Sequence, residues 1–514
     1  MKKLLSLFLV LVLCLSLMAP ALAEAPVRGG SLTIAKTNKL TSFNPATTSS
    51  RNEDGYIYYM VFDTLISFDE AGNLAPKLAT SWETSEDGLI FTLKLRDDVT
   101  FHDGTPFNAE AVKANLDWAI AEDTGHVYKT SELGNIVSID VVDEFTVNVN
   151  LAKPDAALPS VFTNICGLML SPASLASGDI VTNACGTGPF KLKEYVQGDH
   201  VTLVRNENYY LKGEDGESLP YLDEVVFRLM SDDSVKTINL QTGDIDMVDY
   251  HSSANSISKS MEMDNLITVM TNNRQTYFMC FNLNDEKLNN PLIRQAMSFA
   301  VNREEIMEVC LEGYGVVEAF DATPDQWFYS DYNPYTYNPE KAKELLAEAG
   351  YPDGITIKLS YIAREPDATM CQLIQEQVKA SGITLELEPL ERLAWIDLIK
   401  DKRSGEMGIG VIAIQGLDPN QQYNSTLAYC DPKHVTEIQE LLLSAKNVSD
   451  IEARTAIFHQ YQQEYLDSAL YVILGQYPRF ISYANNISGI VFNPNGTFNY
   501  DLAAFGEVAA AKLG

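Results

Sequence analysis

The fold class is indicated by residues 355–387, ITIKLSYIAREPDATMCQLIQEQVKASGITLEL. This stretch begins with an apolar strand pattern over Ile355 to Leu359 and ends with a second one over Ile383 to Leu387. Between them, Ala368 to Ala380 is predicted to form an α-helix. Two consecutive strands joined by a helix make a βαβ unit, whose strands are parallel. The stretch therefore predicts an α/β protein with helices packed on a sheet.

Helix starts and a further strand surround this unit. Asn290-Pro291 and Asn338-Pro339 each place a capping asparagine before a proline at the first helical position. The second of these helices covers Glu340 to Ala349 and is closed by Gly350. Met407 to Ile414 follows the unit as another apolar strand.

The first half of the chain is richer in short strands. Leu89 to Arg96 and Phe145 to Leu151 are predicted strands, and Asn108 caps a helix predicted over Ala109 to Ile120. More strands follow the turn formed by GTGP at 186–189. The pattern changes near Arg274, and no low-complexity linker separates the two parts. We therefore expect lobes joined by strand-like crossovers.

The composition narrows the classes of function. The 514 residues suffice for about three domain-sized units. With 37 Lys and Arg against 70 Asp and Glu, the formal net charge is −33. Such a charge argues against binding to nucleic acid or to an anionic lipid surface, because both need clustered basic residues.

The N-terminus indicates export. Lys2 and Lys3 precede an apolar run from Leu4 to Met18, and Ala21-Leu22-Ala23 offers a signal-peptidase site. We expect a signal peptide over residues 1–23, cleaved after Ala23, and a location in the periplasm or at the outside of the cell envelope. The alternatives are a transmembrane anchor, which needs a longer run, and lipidation at Cys14, which no small residue precedes.

Six cysteines follow the signal peptide and contain no CxxC pair. Export permits disulfides, and Cys166 and Cys185 are close enough in sequence for a bridge to be plausible. The alternative is that the cysteines are small buried apolar residues, which we favour for Cys280, Cys310 and Cys371.

No catalytic constellation is present. The six histidines are scattered, and HExxH, GxSxG and phosphate-loop motifs are missing. His102-Asp103-Gly104 could suggest an acid–base pair, but Asp-Gly-Thr-Pro is typical of a turn. We predict a protein that is not an enzyme and needs no metal or other cofactor.

An aromatic segment from Gln326 to Asn338 suggests a binding surface. It contains six aromatic rings and one proline, Pro334. Rigid amphipathic rings suit a pocket for a polar organic ligand, with Trp327 and Tyr329 as candidates. The alternative is that the segment packs its rings on its own lobe.

Several segments together resemble one family, the family 5 extracellular solute-binding proteins, which capture peptides or nickel for ABC importers. They are 74–83 (LAPKLATSWE), 99–110 (VTFHDGTPFNAE), 186–192 (GTGPFKL), 204–210 (VRNENYY), 243–246 (GDID), 293–303 (IRQAMSFAVNR) and 338–353 (NPEKAKELLAEAGYPD). They occur in the family's order and cover nearly the whole chain after the signal peptide.

The resemblance implies a periplasmic-binding-protein-like α/β fold. Two α/β lobes are joined by a double-crossover hinge, and an extra domain is inserted into the first lobe. Carried onto this sequence, lobe I comprises 24–62, 183–274 and 480–514, the inserted domain comprises 63–182, and lobe II comprises 275–479. The resemblance also implies a monomer that delivers a small organic solute to a membrane permease of an ABC importer.

The resemblance places the ligand site in two loops. One follows the first strand and includes Leu40, Thr41 and Ser42. The other usually has the pattern GW-x-x-D-x-x-DP, whose first Asp pairs with a peptide ammonium. Aligning Asp418-Pro419 with its end puts Gln415, followed by Gly416, where that Asp is expected.

Arg364 lies near the position at which dipeptide binders hold the ligand carboxylate. Peptides are the favoured solutes, although neutral Gln415 lacks the countercharge that a buried ammonium needs. An oligosaccharide or other uncharged polar solute is the alternative. A nickel chelate, with His434 as the nearest histidine, and an exported hydrolase are further alternatives.

Overall fold

The computed structural model describes residues 27–48, 55–69, 71–251, 253–324, 326–413, 418–426, 429–492, 498–499 and 503–505. The predicted signal peptide, its cleavage site and Cys14 lie outside these ranges. Within them, no helix has both the length and the apolar character needed to cross a bilayer.

Strands and helices alternate along most of the chain. The strands are β1 Ser31–Lys36, β2 Ile66–Phe68, β3 Leu74–Pro76, β4 Ala79–Thr84, β5 Ile90–Leu95, β6 Ile136–Asp143, β7 Thr146–Leu151, β8 Phe190–Val196, β9 His200–Arg205, β10 Glu224–Leu229, β11 Met247–His251, β12 Leu266–Phe281, β13 Ile355–Ile362, β14 Ile383–Leu390, β15 Met407–Ala413, β16 Tyr471–Ala484, β17 Ile487–Ser488, β18 Val491–Phe492, β19 Phe498–Asn499 and β20 Ala504–Phe505. The helices are α1 Gly55–Val61, α2 Ala109–Ile120, α3 Leu158–Val161, α4 Pro172–Ser177, α5 Asp233–Thr242, α6 Ala254–Met261, α7 Pro291–Ala300, α8 Arg303–Cys310, α9 Pro339–Glu348, α10 Asp367–Lys379, α11 Arg392–Ile396, α12 Pro419–Thr426, α13 Thr436–Ser444 and α14 Ile451–Asp467.

One ten-stranded sheet runs through both lobes in the order β14-β13-β15-β12-β16-β11-β1-β10-β9-β8. The long strands β12 and β16 lie at its centre and pair with each other antiparallel. Residues 266–270 of β12 pair with residues 480–484 of β16, which adjoins β11 of lobe I. Residues 275–281 of β12 pair with β15 of lobe II. The two strands therefore cross between the lobes at 271–274 and 478–480.

A separate four-stranded antiparallel sheet, β4-β5-β7-β6, belongs to the inserted domain. Helix α2 packs on this sheet, and Val112 and Leu116 are buried in its core. The N-terminal end of β6 and the C-terminal end of β7 lie at the same edge, because Ile136 pairs with Leu151.

The predictions made from capping residues are confirmed. The Asn108 side chain accepts a hydrogen bond from the Ala111 amide, and α2 covers the predicted range. Asn290 and Asn338 cap α7 and α9 in the same way. The strands of the βαβ unit are parallel, with Ile355 opposite Ile383. Local side chains fix these starts, so the sequence suffices to find them.

The structure decides between the two interpretations of Cys166 and Cys185 that the sequence left open. Neither residue forms a disulfide, and neither do the four other cysteines of the described residues. Cys166 is buried in the core of the inserted domain, and its thiol lies 3.9 Å from Glu132 Oε2. Burial and the charge of Asp103 raise the pKa of Cys185 to about 11. The two thiols therefore lie in different local environments, and each packs as a small side chain.

Candidate functional site

The strand directions define a cleft between the lobes. In lobe II, the C-terminal ends of β13, β14 and β15 share one edge because these strands are parallel. Gln275, where β12 arrives from lobe I, pairs with Ala413 at the end of β15, so this edge faces lobe I. In lobe I, His251 at the end of β11 pairs with Phe480 beside the crossing. Strands β1 and β10 run parallel to β11, and their C-terminal ends therefore face lobe II.

Asp249 organises the lobe I edge of the cleft. Its Oδ2 accepts hydrogen bonds from the Thr37 amide (3.0 Å) and the Tyr56 hydroxyl (2.9 Å). Its Oδ1 accepts from the Thr37 hydroxyl (2.8 Å) and the Tyr250 amide (2.8 Å). Asp249 is buried, and these four donors satisfy both oxygens. The network holds the chain segment that leaves β1.

A buried lysine extends this network. Lys236 Nζ donates to the Thr37 hydroxyl (2.8 Å) and the Tyr250 carbonyl (2.7 Å), and lies 2.7 Å from Asp233 Oδ1. Burial alone would raise the pKa of Asp233, but His251 and Lys236 outweigh it and the pKa lies well below its usual value. Sequence inspection missed these residues, because their partners are about 200 residues apart in the chain.

The predicted loop after β1 lies at this edge. Leu40 is buried, and its carbonyl accepts a hydrogen bond from the Tyr195 hydroxyl (2.8 Å). The Ser42 carbonyl accepts from the Tyr58 hydroxyl (2.8 Å). Thr41 is exposed between them. The tyrosines fix the loop, which leaves the Thr41 side chain as the accessible group among the three predicted residues.

Two arginines mark the lobe II edge. Ile362 at the end of β13 pairs with Leu390 at the end of β14, and Arg364 and Arg392 each follow two residues later. Arg364 Nε lies 3.0 Å from Asp367 Oδ2, with about half of its side chain exposed. Arg392 is exposed. Burial raises the pKa of Asp367, and the charge of Arg364 opposes this shift. The edge thus carries the exposed guanidinium of Arg392 and the ion pair of Arg364 with Asp367.

Asp418 and Trp327 share one partner, Arg454. Arg454 Nη2 lies 2.9 Å from Asp418 Oδ2, and both residues are buried. Asp418 Oδ1 also accepts a hydrogen bond from the Asn420 amide at the start of α12. The Arg454 guanidinium stacks 5.5 Å from the Trp327 ring. The Asp418 carboxylate is therefore engaged by Arg454 and by the helix start. Gln415 and Gly416 lie outside the described residues.

The aromatic segment packs largely on lobe II. Phe328 is buried against Tyr423 and Phe458, and Trp327 also contacts Phe458. The Tyr329 carbonyl lies 2.9 Å from His459 Nε2, which must donate to it. For Phe328, these contacts favour the interpretation that the segment packs its rings on its own lobe. Trp327 keeps 40% of its surface exposed.

The hinge strands carry polar groups of their own. The Thr276 hydroxyl on β12 donates to Asp321, and burial raises the pKa of that carboxyl to about 6. The Arg479 guanidinium on β16 lies 4.5 Å from the centre of the Tyr250 ring. Within the described ranges, no group of three His, Cys, Asp or Glu residues is placed to hold a metal ion. His434 instead contacts Asn284.

Comparison with known proteins identifies the family. The family model "Bacterial extracellular solute-binding proteins, family 5 Middle" matches residues 73–433, and the chain belongs to this family. The glutathione-binding protein GsiB of Escherichia coli O1:K1 is 26% identical over 459 residues, which are 86% of this chain and 88% of that protein. GsiB of Salmonella typhi is 27% identical over the same length. The chain is thus a solute-binding protein.

Solved structures share the fold. DppA from Helicobacter pylori in complex with the peptide STSA has a TM-score of 0.78 at 24% identity, covering 94% of this chain and 99% of that one. NikA from Brucella suis in complex with Fe(III)-EDTA has a TM-score of 0.81 at 22% identity, covering 93% and 100%. These similarities confirm the predicted fold class, a periplasmic-binding-protein-like arrangement of α/β lobes.

Proposed function

We propose that this protein is the exported receptor of an ABC importer and that it captures short peptides bearing free carboxylates. The observation that carries the proposal is that Arg364 and Arg392 each follow by two residues the paired strand ends Ile362 and Leu390 at the lobe II edge. Guanidinium groups recognise carboxylates through paired, charge-assisted hydrogen bonds. The relatives named for glutathione, a tripeptide with two carboxylates, support this solute class.

The remaining parts of the proposal follow the family. The signal peptide is removed after Ala23, and the chain releases its solute to a membrane permease without chemical change. The lobes have the boundaries that the family resemblance implies. The hinge at 271–274 and 478–480 allows them to close on the ligand. The protein acts as a monomer and binds no nucleic acid.

Calorimetric titration of the mature protein tests the solute class. The probes are reduced glutathione and the dipeptide Met-Leu, each compared with its C-terminal amide. We expect the acids to bind at least tenfold more tightly than the amides, and Arg364→Met to remove most of this preference. Tenfold corresponds to about 1.4 kcal/mol. Lys402→Met, which alters an exposed lysine of lobe II, is the matched control. Equal binding of acids and amides, or no binding of either, contradicts the proposal.

A second substitution tests the alignment of Gln415. If Gln415 occupies the ammonium position, Gln415→Asp supplies the missing countercharge. Close charge pairs at interfaces can contribute a few kcal/mol. The variant should gain affinity for free-amine peptides relative to their N-acetylated forms. If wild type already binds free-amine peptides tightly and the substitution changes nothing, Gln415 lies outside the site.

A further inference from the structure

The inserted domain touches lobe II on a surface that is separate from the hinge. The contacts come from the edge of the four-stranded sheet where β6 begins and β7 ends. Ser131 and Glu132 precede β6, and Asp155 and Ala156 follow β7. On lobe II, the partners are Gln421 on α12 and Lys446 in the turn between α13 and α14.

Lys446 makes three contacts with this edge. Its Nζ donates to the Ser131 carbonyl (3.1 Å) and lies 3.9 Å from Asp155 Oδ2. Its carbonyl accepts a hydrogen bond from the Ala156 amide at 2.7 Å. The Lys446 side chain is 13% exposed and that of Asp155 is 1% exposed. A cation, its carboxylate partner and a main-chain hydrogen bond are thus shielded from water together.

Other contacts support both ends of this arrangement. The Gln421 amide donates to Glu132 Oε2 at 3.2 Å, a contact between residues 289 positions apart in the chain. Asp155 is held in place by the Asn135 side chain (2.9 Å) and the Ala157 amide (3.1 Å). These two hydrogen bonds hold the Asp155 carboxylate in position independently of Lys446.

The inserted domain is attached to lobe I by main-chain hydrogen bonds. The Ser171 amide donates to the Cys185 carbonyl (2.9 Å), and the His102 amide donates to the Gly186 carbonyl (2.8 Å). Rotation of the lobes about β12 and β16 therefore carries the inserted domain with lobe I and separates Lys446 from Asp155. A contact that exists in only one of two states shifts the equilibrium towards that state.

We propose that Lys446, Gln421, Ser131, Glu132, Asp155 and Ala156 form a latch that joins the inserted domain to lobe II and so holds the cleft closed. The latch acts on the open–closed equilibrium whatever solute is bound. It sets how long a captured solute stays in the cleft, because release requires the latch to break. This role is independent of the proposed preference for peptides.

Hydrogen–deuterium exchange of the mature protein, freed of solute by unfolding and refolding, tests the latch. The readout is the segment 153–160, which contains the Ala156 amide. We expect Lys446→Met to accelerate its exchange at least fivefold and Lys446→Arg to retain most of the protection. Lys402→Met should leave the exchange unchanged. X-ray scattering of Lys446→Met should show a larger radius of gyration than that of wild type.

Exchange in β7 shows whether a variant has lost stability as a whole. If Lys446→Met also accelerates exchange in Thr146–Leu151, that variant has lost stability as a whole. The milder Gln421→Ala variant then becomes the deciding one, and its exchange at 153–160 is compared with that of wild type. Exchange at 153–160 that is the same in wild type and in the deciding variant overturns the proposal. Faster exchange confined to the latch supports it.

Discussion

The inserted domain meets lobe I and lobe II through interfaces of different construction. Towards lobe I, Asp63 is buried and accepts hydrogen bonds from the hydroxyls of Tyr209 and Thr187, both at 3.1 Å. Lys77 Nζ lies 3.1 Å from the same carboxylate. Towards lobe II, the latch depends on one lysine, one glutamine and one main-chain bond. The first interface joins the domain to lobe I as one body, and the second can separate.

The largest effect should follow from breaking the lobe I interface. Asp63→Ala leaves the hydroxyls of Tyr209 and Thr187 and the ammonium of Lys77 without their shared acceptor. Removal of one member of a buried charged network costs about 3–5 kcal/mol. Urea unfolding followed by circular dichroism should show a loss of this size in the free energy of unfolding.

Lys402→Met is the control for this measurement. It removes an exposed ion pair with Asp397, which contributes at most about 1 kcal/mol. If Asp63→Ala lowers the free energy of unfolding by no more than Lys402→Met does, the lobe I interface separates as easily as the latch. The proposed difference between the two interfaces would then be wrong.

A smaller effect should appear on acidification, through His102 at the same interface. His102 Nε2 lies 2.9 Å from the Gly188 carbonyl and must donate to it, and Nδ1 accepts from the Gly186 amide. This pattern needs the neutral ring. Burial lowers the pKa of His102 to about 4. In the unfolded chain the pKa is about 6.5, so the unfolded state binds the proton first.

The contribution of His102 is therefore complete above pH 6.5 and is lost as the pH falls from 6.5 towards 4. At pH 5 the loss should be about 2 kcal/mol relative to pH 7. Urea unfolding at both pH values measures it. His102→Gln should be less stable at pH 7 and should show a weaker fall towards pH 5. A fall as steep as that of wild type would assign the acid sensitivity to other groups.

The smallest effect on stability should come from the latch. Lys446→Met should lower the free energy of unfolding by less than Asp63→Ala does, because opening of the cleft lets water solvate the separated partners. The same variant should nevertheless alter exchange at 153–160. A loss comparable to that of Asp63→Ala would mean that lobe II and the inserted domain unfold as one unit.

Local signals account for most of what the sequence predicted. The capping asparagines and the strand periodicity gave α2, α7, α9 and the parallel βαβ unit, because their determinants lie within a few residues. Asp103 does form the predicted turn, accepting from the Thr105 amide. The neighbouring His102 was not assigned a role, because its partners lie 84 and 86 residues away.

The candidate site was harder to predict for the same reason. The family pattern led to Asp418 and Arg364, but it did not show that Arg454 and Asp367 pair with them. Lys236 and Asp249 could not be recognised, because burial of polar groups depends on contacts between distant segments. The latch joins residues about 290 to 315 positions apart, which no pattern along the chain can reveal.

The central position of β16 has a consequence for the order of folding. This strand lies between β11 of lobe I and β12, yet it comes from residues 471–484, after every other strand of its sheet. Neither lobe can complete its sheet until the ribosome has made that segment. Contacts between distant segments form slowly, and they cannot form at all before the chain exists. Late synthesis of the shared strand delays folding, and such a delay suits the export proposed for this chain.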